Sequence, residues 1–242
     1  MTEREKMLLH SKYGHSKILF LIHLVGRYIK ELYRPNIATR KPLILGNGNV
    51  VSFVPKGVQI EIYGDNNKVE IDPSVTKWDG NIGLGDAETP VYNCHISIGK
   101  NSYSNGVNII VMEDNTSVTI GKNCMFSWGI YLFASDTHTI YDAKTKKLLN
   151  WGKEIIIGDN VLVAMDCTVL KNSFIAKNCV VGASAVVAGK FTEENCVIAG
   201  NPAKVVKRGV AWDGRRPKKY ITQYPMEKKS PGLLQGPGVG ML

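Results

Sequence analysis

The chain has 242 residues, 44% of them hydrophobic, and 30 Lys and Arg against 21 Asp and Glu, for a formal net charge of +9. That composition reads as a soluble globular protein with one sizeable core and appendages. The charge is uneven, +6 over residues 1–42, +7 over 204–242 and −4 between them, with no aromatic platform among the basic residues. The pattern therefore argues against nucleic acid and for a small anionic molecule or an anionic membrane surface.

Residues 1–42 form a basic N-terminal segment. Between Ser16 and Arg34 the apolar residues Ile18, Leu21, Ile22, Val25, Ile29 and Leu32 mark one helical stripe, which Pro35 ends. A helix packed on the rest of the protein or on a neighbouring subunit is the plain reading, and a basic helix lying on a membrane surface is the other. Ile18 to Gly26, ILFLIHLVG, imitates a secretory signal but contains His23, runs into Arg27 and Lys30, and has no small-residue cleavage site. It is too short to span a bilayer.

From about residue 43 to 203 the chain counts in sixes. Ile157, Val163, Val169, Ile175, Val181 and Val187 are aliphatic without a miss, and Val161, Cys167, Ser173, Cys179 and Ala185 hold a small or apolar position in the same frame. Neither a helical period nor a strand period generates this spacing. It predicts a parallel β-helix of hexapeptide repeats, an all-β solenoid in which three short faces close each triangular coil. Upstream, Ile120, Phe126 and Leu132 keep step, Ile98 and Ile110 keep step with each other, and the register slips through EDNTS. VQIEIYGDNNKVEID alternates as two strands about a Gly-Asp-Asn-Asn turn and opens the solenoid.

The count stops at Ala134 and resumes after Lys153. The excursion holds His138, Asp136 and Trp151. A long loop leaving a regular solenoid is either functional or a mobile insertion. The five cysteines have no C-x-x-C pair and read as buried thiols of a reducing cytoplasm. Residues 204–242 are basic and then rich in Pro and Gly, and from Asp213 onward a disordered or draped tail is expected.

The stretch ISIGKNSYSN, SVTIGKNCMFSWGIYLFASDTHTI, EIIIGDNVLVAMDCTVL, VVGASAVV and VIAGNPAKVVKR resembles the hexapeptide-repeat acyltransferases. It is nearest the galactoside and maltose O-acetyltransferase type and the acetyltransferases found with surface-polysaccharide genes. The resemblance covers residues 96–208. It implies a left-handed β-helix, a homotrimer with active sites between subunits, and acetyl transfer from acetyl-CoA to a hydroxyl or amine. The family's loop histidine, its general base, matches His138, one residue off the family spacing. The acceptor-side asparagine matches Asn105. The backbone N–H aimed at the developing oxyanion falls on Met165, a second contact to the pantetheine arm falls on Ala183, and Ala164 and Gly182 flank them in the acetyl-CoA site.

This chain has Leu162 where many members carry Trp, so Leu162 and Trp151 are expected to shape the acceptor pocket. Lys171-Asn172-Ser173-Phe174 stands where a corner proline and glycine are usual. Lys204, Lys207 and Arg208 are candidates for the phosphates of CoA. Asp136 orients the imidazole of His138 or caps the loop turn, and the sequence leaves both open.

The chemistry fits the residues independently. A base with a pKa near 7 must take the hydroxyl proton, and histidine is the side chain whose ordinary value lies there. Proximity and oxyanion stabilisation supply the rest without a protein nucleophile. No metal is expected, because a three-histidine zinc site would have only His95 and His138 within the β-helix. The expected activity is O-acetylation of a saccharide hydroxyl in capsule, O-antigen or exopolysaccharide synthesis, in the cytoplasm or at the inner face of the membrane. N-acetylation of a nucleotide-linked amino sugar and a non-catalytic carbohydrate-binding scaffold are the alternatives.

Overall fold

The computed structural model describes residues 41–223, so the expected N-terminal helix and the tail beyond residue 223 lie outside the described residues. Within them the chain winds as a parallel β-solenoid of three faces. The third face is a seven-stranded sheet of β2 (Val50–Val51), β4 (Lys68–Ile71), β6 (His95–Ile98), β8 (Ser117–Ile120), β11 (Ile155–Ile157), β14 (Phe174–Ile175) and β17 (Lys190–Phe191). The first and second faces begin as one sheet, because β3 (Lys56–Tyr63), β5 (Lys77–Leu84) and β7 (Tyr103–Val111) are long enough to bend around the corner between them; β1 (Leu43–Leu45) pairs with β3.

Below β7 the two faces separate. Its start pairs with β9 (Met125–Phe126), which leads through β12 (Leu162–Val163) and β15 (Val180–Val181) to β18 (Cys196–Ala199). Its end pairs with β10 (Ile130–Phe133), then β13 (Thr168–Leu170) and β16 (Val186–Val187). β19 (Lys204–Arg208) closes the first face as an antiparallel strand on β18.

The six-residue count becomes three faces of one coil. Ile157 stacks on Ile175, Val163 on Val181 and Val169 on Val187, so each aliphatic meets the one three repeats later. All six residues are at most 1% exposed, as are Val161, Cys167, Ser173, Cys179 and Ala185. Side chains on a strand alternate between faces, so one inward residue per short strand suffices, and stacked columns bury one another at about 1.5–3 kcal/mol for each large aliphatic.

The corners explain the intervening residues. Asn160, Asp166, Asn172, Asn178 and Ser184, again six apart, all have φ between 54° and 62°. Asn and Asp tolerate that left-handed region better than other non-glycine residues. Gly99, Gly121 and Gly158 stack at the corner between the third and first faces, where a Cβ would stand within 2.8 Å of backbone in the next coil.

One expectation changes. Ile110 is half-buried on the outward side of β7 while Ile109 and Val111 face the core, because the bend of this long strand shifts the inward positions by one. Of the two alternatives for the segment from Asp213, its described part, to residue 223, takes the draped one. Past residue 208 the chain runs back along the corner between the third and first faces, with Val210 N–H donating to the Asn195 carbonyl and Trp212 Nε1 to the Asn160 carbonyl at 2.6 Å, and ends in helix α1 (Pro217–Gln223).

Candidate active site

The corner between the first and second faces carries five of the twelve expected residues, Asn105, Ala164, Met165, Gly182 and Ala183. Asn105 sits in the bend of β7, Trp128 follows β9 one coil below, Met165 follows β12 and Ala183 follows β15. Backbone bonds tie these turns together: Asp166 N–H to the Trp128 carbonyl and Ser184 N–H to the Met165 carbonyl, both 3.0 Å. One rigid edge thus presents, in order, an amide, an exposed indole and two turns.

The N–H groups of Met165 and Ala183 have no hydrogen-bond partner among the described residues. Both residues are exposed, and donors left open at a fixed corner are what a developing oxyanion or a pantetheine amide requires. Ala164, by contrast, spends its N–H on the Val181 carbonyl, and Gly182 is buried with its N–H on Ile198, so these two shape the edge. Leu162 is half-buried on β12. Asn105 Oδ1 accepts from Lys77 Nζ at 2.6 Å, and that ammonium also meets Asp79 at 3.1 Å.

The His138 loop leaves from a different corner, between the second and third faces. Ala134 N–H donates to the Ile110 carbonyl, and Lys153 N–H donates to the Ala134 carbonyl at 3.0 Å, so the excursion is pinched at its root. Ile157 and Ile120 pair directly across it, which shows that the loop is an insertion the coil does not otherwise register. Tyr141 and Leu148 bridge within it.

Asn150, 9% exposed, ties the two limbs together. Its Oδ1 accepts from Ile140 N–H at 2.8 Å, and its Nδ2 donates to the His138 carbonyl at 2.7 Å and to Asp136 Oδ2 at 3.0 Å. His138 N–H donates to the Asp136 carbonyl at 2.7 Å, across Thr137 at φ 62°. The main chain of His138 is therefore bonded on both sides. Its imidazole is exposed and has no partner among the described residues.

Neither role offered for Asp136 matches its contacts. Its carboxylate accepts from Asn150 and from Lys171 Nζ, and makes no bond to the His138 ring or to turn N–H groups. Partial burial pushes its pKa up, but the donors Lys171 and Asn150 outweigh that and hold it below the ordinary carboxylate value. Trp151 is 56% exposed at the loop's return.

On β19, Lys204 lies at the end of this edge and Lys207 toward the far end of the first face; both are exposed and without ion-pair partners among the described residues, whereas Arg208 pairs with Glu193 at 2.9 Å. His95 is committed to Glu70 at 2.7 Å on the third face. Among the described residues no group of three or more His, Cys, Asp and Glu could hold a metal, and no helix is long and apolar enough to cross a membrane.

Sequence reading missed Trp128, Lys77, Asn150 and Lys171 as site residues. Trp128 left a signal, an indole at an outward corner position; Lys171 stood out only as a departure from the usual corner, and Asn150 had none.

No family model matches the chain. A polysialic acid O-acetyltransferase of Escherichia coli O1:K1 is 36% identical over 107 residues, which are 44% of this chain and 34% of that protein. The polysialic acid O-acetyltransferase of Neisseria meningitidis is 33% identical over 175 residues, 65% of this chain and 80% of that protein. A Dictyostelium discoideum protein described as a candidate acetyltransferase is 31% identical over 208 residues, 86% of this chain and 94% of that one. Among solved structures, the polySia-specific acetyltransferase NeuO superposes with a TM-score of 0.59 at 27% identity, covering 77% of this chain and 97% of that chain.

Proposed function

Because the chain belongs to the hexapeptide-repeat acetyltransferase family, we propose that it transfers an acetyl group from acetyl-CoA to a hydroxyl of a saccharide, with His138 as general base. The observation that carries this reading is the His138 loop, which fixes the residue's backbone at both its N–H and its carbonyl and leaves the imidazole open. A general base needs a ring nitrogen open toward the hydroxyl whose proton it takes.

In this reading the imidazole takes the acceptor's hydroxyl proton as the oxygen attacks the thioester carbonyl. The open N–H of Met165 donates to the oxygen on which charge develops, and a preorganised donor of this kind is worth about 10²–10³ in rate. The imidazolium then protonates the departing thiolate. Ala183 N–H holds the pantetheine arm, Lys204 and Lys207 meet the phosphates, and Asn105 with Trp128 and Trp151 receives the sugar.

The loop and the donor edge leave the prism at different corners. A complete site pairs the loop of one copy with the edge of a neighbour, which favours a homotrimer of left-handed prisms. The named acceptors of the Escherichia coli and Neisseria meningitidis relatives, and the basic segments flanking the acidic centre, support an anionic polysaccharide as acceptor. Five free, buried thiols support a reducing compartment, the cytoplasm.

The test is thiol release from acetyl-CoA with polysialic acid, neutral oligosaccharides and nucleotide-linked amino sugars as acceptors. His138→Ala is expected to lower kcat by two or more orders of magnitude with an unchanged melting temperature. Full activity in that variant would refute the assignment; glycan binding without any release would favour a scaffold.

A further inference from the structure

Leu170 on β13 pairs with Phe133 on β10, which sets Lys171 directly under Ala134, the root of the loop. A lysine at this corner has no part in the coil's own hydrogen bonding through its side chain. It reaches up instead, with Nζ donating to Asp136 Oδ2 and, at 2.7 Å, to the Asn150 carbonyl; the side chain is only 17% exposed. Both acceptors belong to the loop, one on each limb. Asp136 and Asn150 in turn hold the His138 carbonyl and the Ile140 N–H through the Asn150 amide.

We infer that Lys171 is a positioning residue that clamps the two limbs of the loop onto the coil and so presents His138 in its reactive placement. The clamp fastens backbone and leaves the ring free. A proline or glycine at this corner would satisfy the coil equally and could not make the connection, because neither carries a donor side chain. The spacing of the limbs also requires a long cation: one ammonium with three donors can serve a carboxylate and a carbonyl at once. Glu113 secures the far end of the same loop by accepting from Gly152 N–H.

This inference rests on His138 being the base, so its test has one arm that does not depend on catalysis. The loop carries exposed lysines at 144, 146 and 147, and trypsin cleavage there, followed by mass spectrometry on the native full-length protein, reads how often the loop opens. Lys171→Met is expected to speed that cleavage about tenfold, Asp136→Asn to do the same, and the double variant to add little. Lys171→Arg, which keeps the donors, should restore most of the protection. The melting temperature should move by no more than about 2 °C in each.

The second arm is kinetic. With acetyl-CoA and whichever acceptor the wild type uses, Lys171→Met should lower kcat about tenfold while KM for acetyl-CoA stays within twofold, and Lys171→Arg should recover kcat. Unchanged loop cleavage in Lys171→Met would overturn the inference outright. Faster cleavage with undiminished kcat, in a protein where His138→Ala is inactive, would overturn the positioning role. If His138→Ala is instead fully active, the base assignment fails by itself and takes the positioning role with it.

Discussion

Replacing Val181 by Thr, and separately Val180 by Thr, tests whether the register of the coil is the one described. Val181 is fully buried on β15, stacked between Val163 and Ile198, whereas its neighbour Val180 points outward and is half-buried. Thr has the shape of Val, so strain is not introduced. At position 181 a buried methyl is lost, about 0.8 kcal/mol, and a hydroxyl enters a column whose neighbours above and below are aliphatic, about 1–3 kcal/mol more. Ser173 and Ser104, also inward, escape this cost because they reach carbonyls, Ser173 Oγ that of Val187 at 3.1 Å and Ser104 Oγ that of Asp79 at 2.9 Å. The sum, about 2–4 kcal/mol, corresponds to a loss of roughly 4–16 °C in melting temperature for a chain of this size. Val180→Thr should change stability by about 0.5 kcal/mol or less. The assay is thermal unfolding followed by circular dichroism at one protein concentration, with oligomeric state checked by light scattering. Equal losses, or a larger loss at 180, would mean the inward and outward residues have been exchanged. Val181→Asp, which buries an unpaired carboxylate in the same column, should prevent folding.

Burial pushes the Cys124 thiol up to about 11 and, with Cys179 beside it, Cys196 to about 12. At pH 8 only about one part in a thousand of Cys124 would be thiolate, so the native protein should not react with a disulfide reagent until it is unfolded; rapid labelling would show that the coil opens. Replacing Trp212 by Ala removes the 2.6 Å bond to the Asn160 carbonyl and should speed trypsin cleavage after Arg215 with little change in coil melting, measured on the same samples. Asp136 is held below its ordinary value of 3.8, so its contribution is present above that value and lost as the pH falls through the depressed one. Hydrogen exchange of the loop amides, corrected for intrinsic rate, should be the same at pH 7 and 5 and rise only below about pH 4; a rise between 7 and 5 would point to a different titrating group.

The sequence by itself determined the solenoid. A period of six is incompatible with helix or simple sheet, and Ile157 through Val187 had one arrangement in which all six aliphatics could be buried. It also located the excursion and its histidine, since a break in so regular a count is visible without coordinates. Asn160, Asn172 and Asn178 carried a further local signal, the left-handed corner, because that preference belongs to single residues.

Tertiary structure alone decided what lies beside what. Asp136 and Lys171 are 35 residues apart, and their pairing exists only because β13 stacks under β10. Ile110 and Ile109 exchange roles because a long strand bends at a corner, a displacement of one residue that composition does not encode. Asn105, Trp128, Met165 and Ala183 fall on one edge, and His138 on another, through the way each coil lands on the last. Local preference fixes where a chain turns; which residues then meet depends on how many residues separate successive turns, and the inserted loop changes that number most, between β8 and β11.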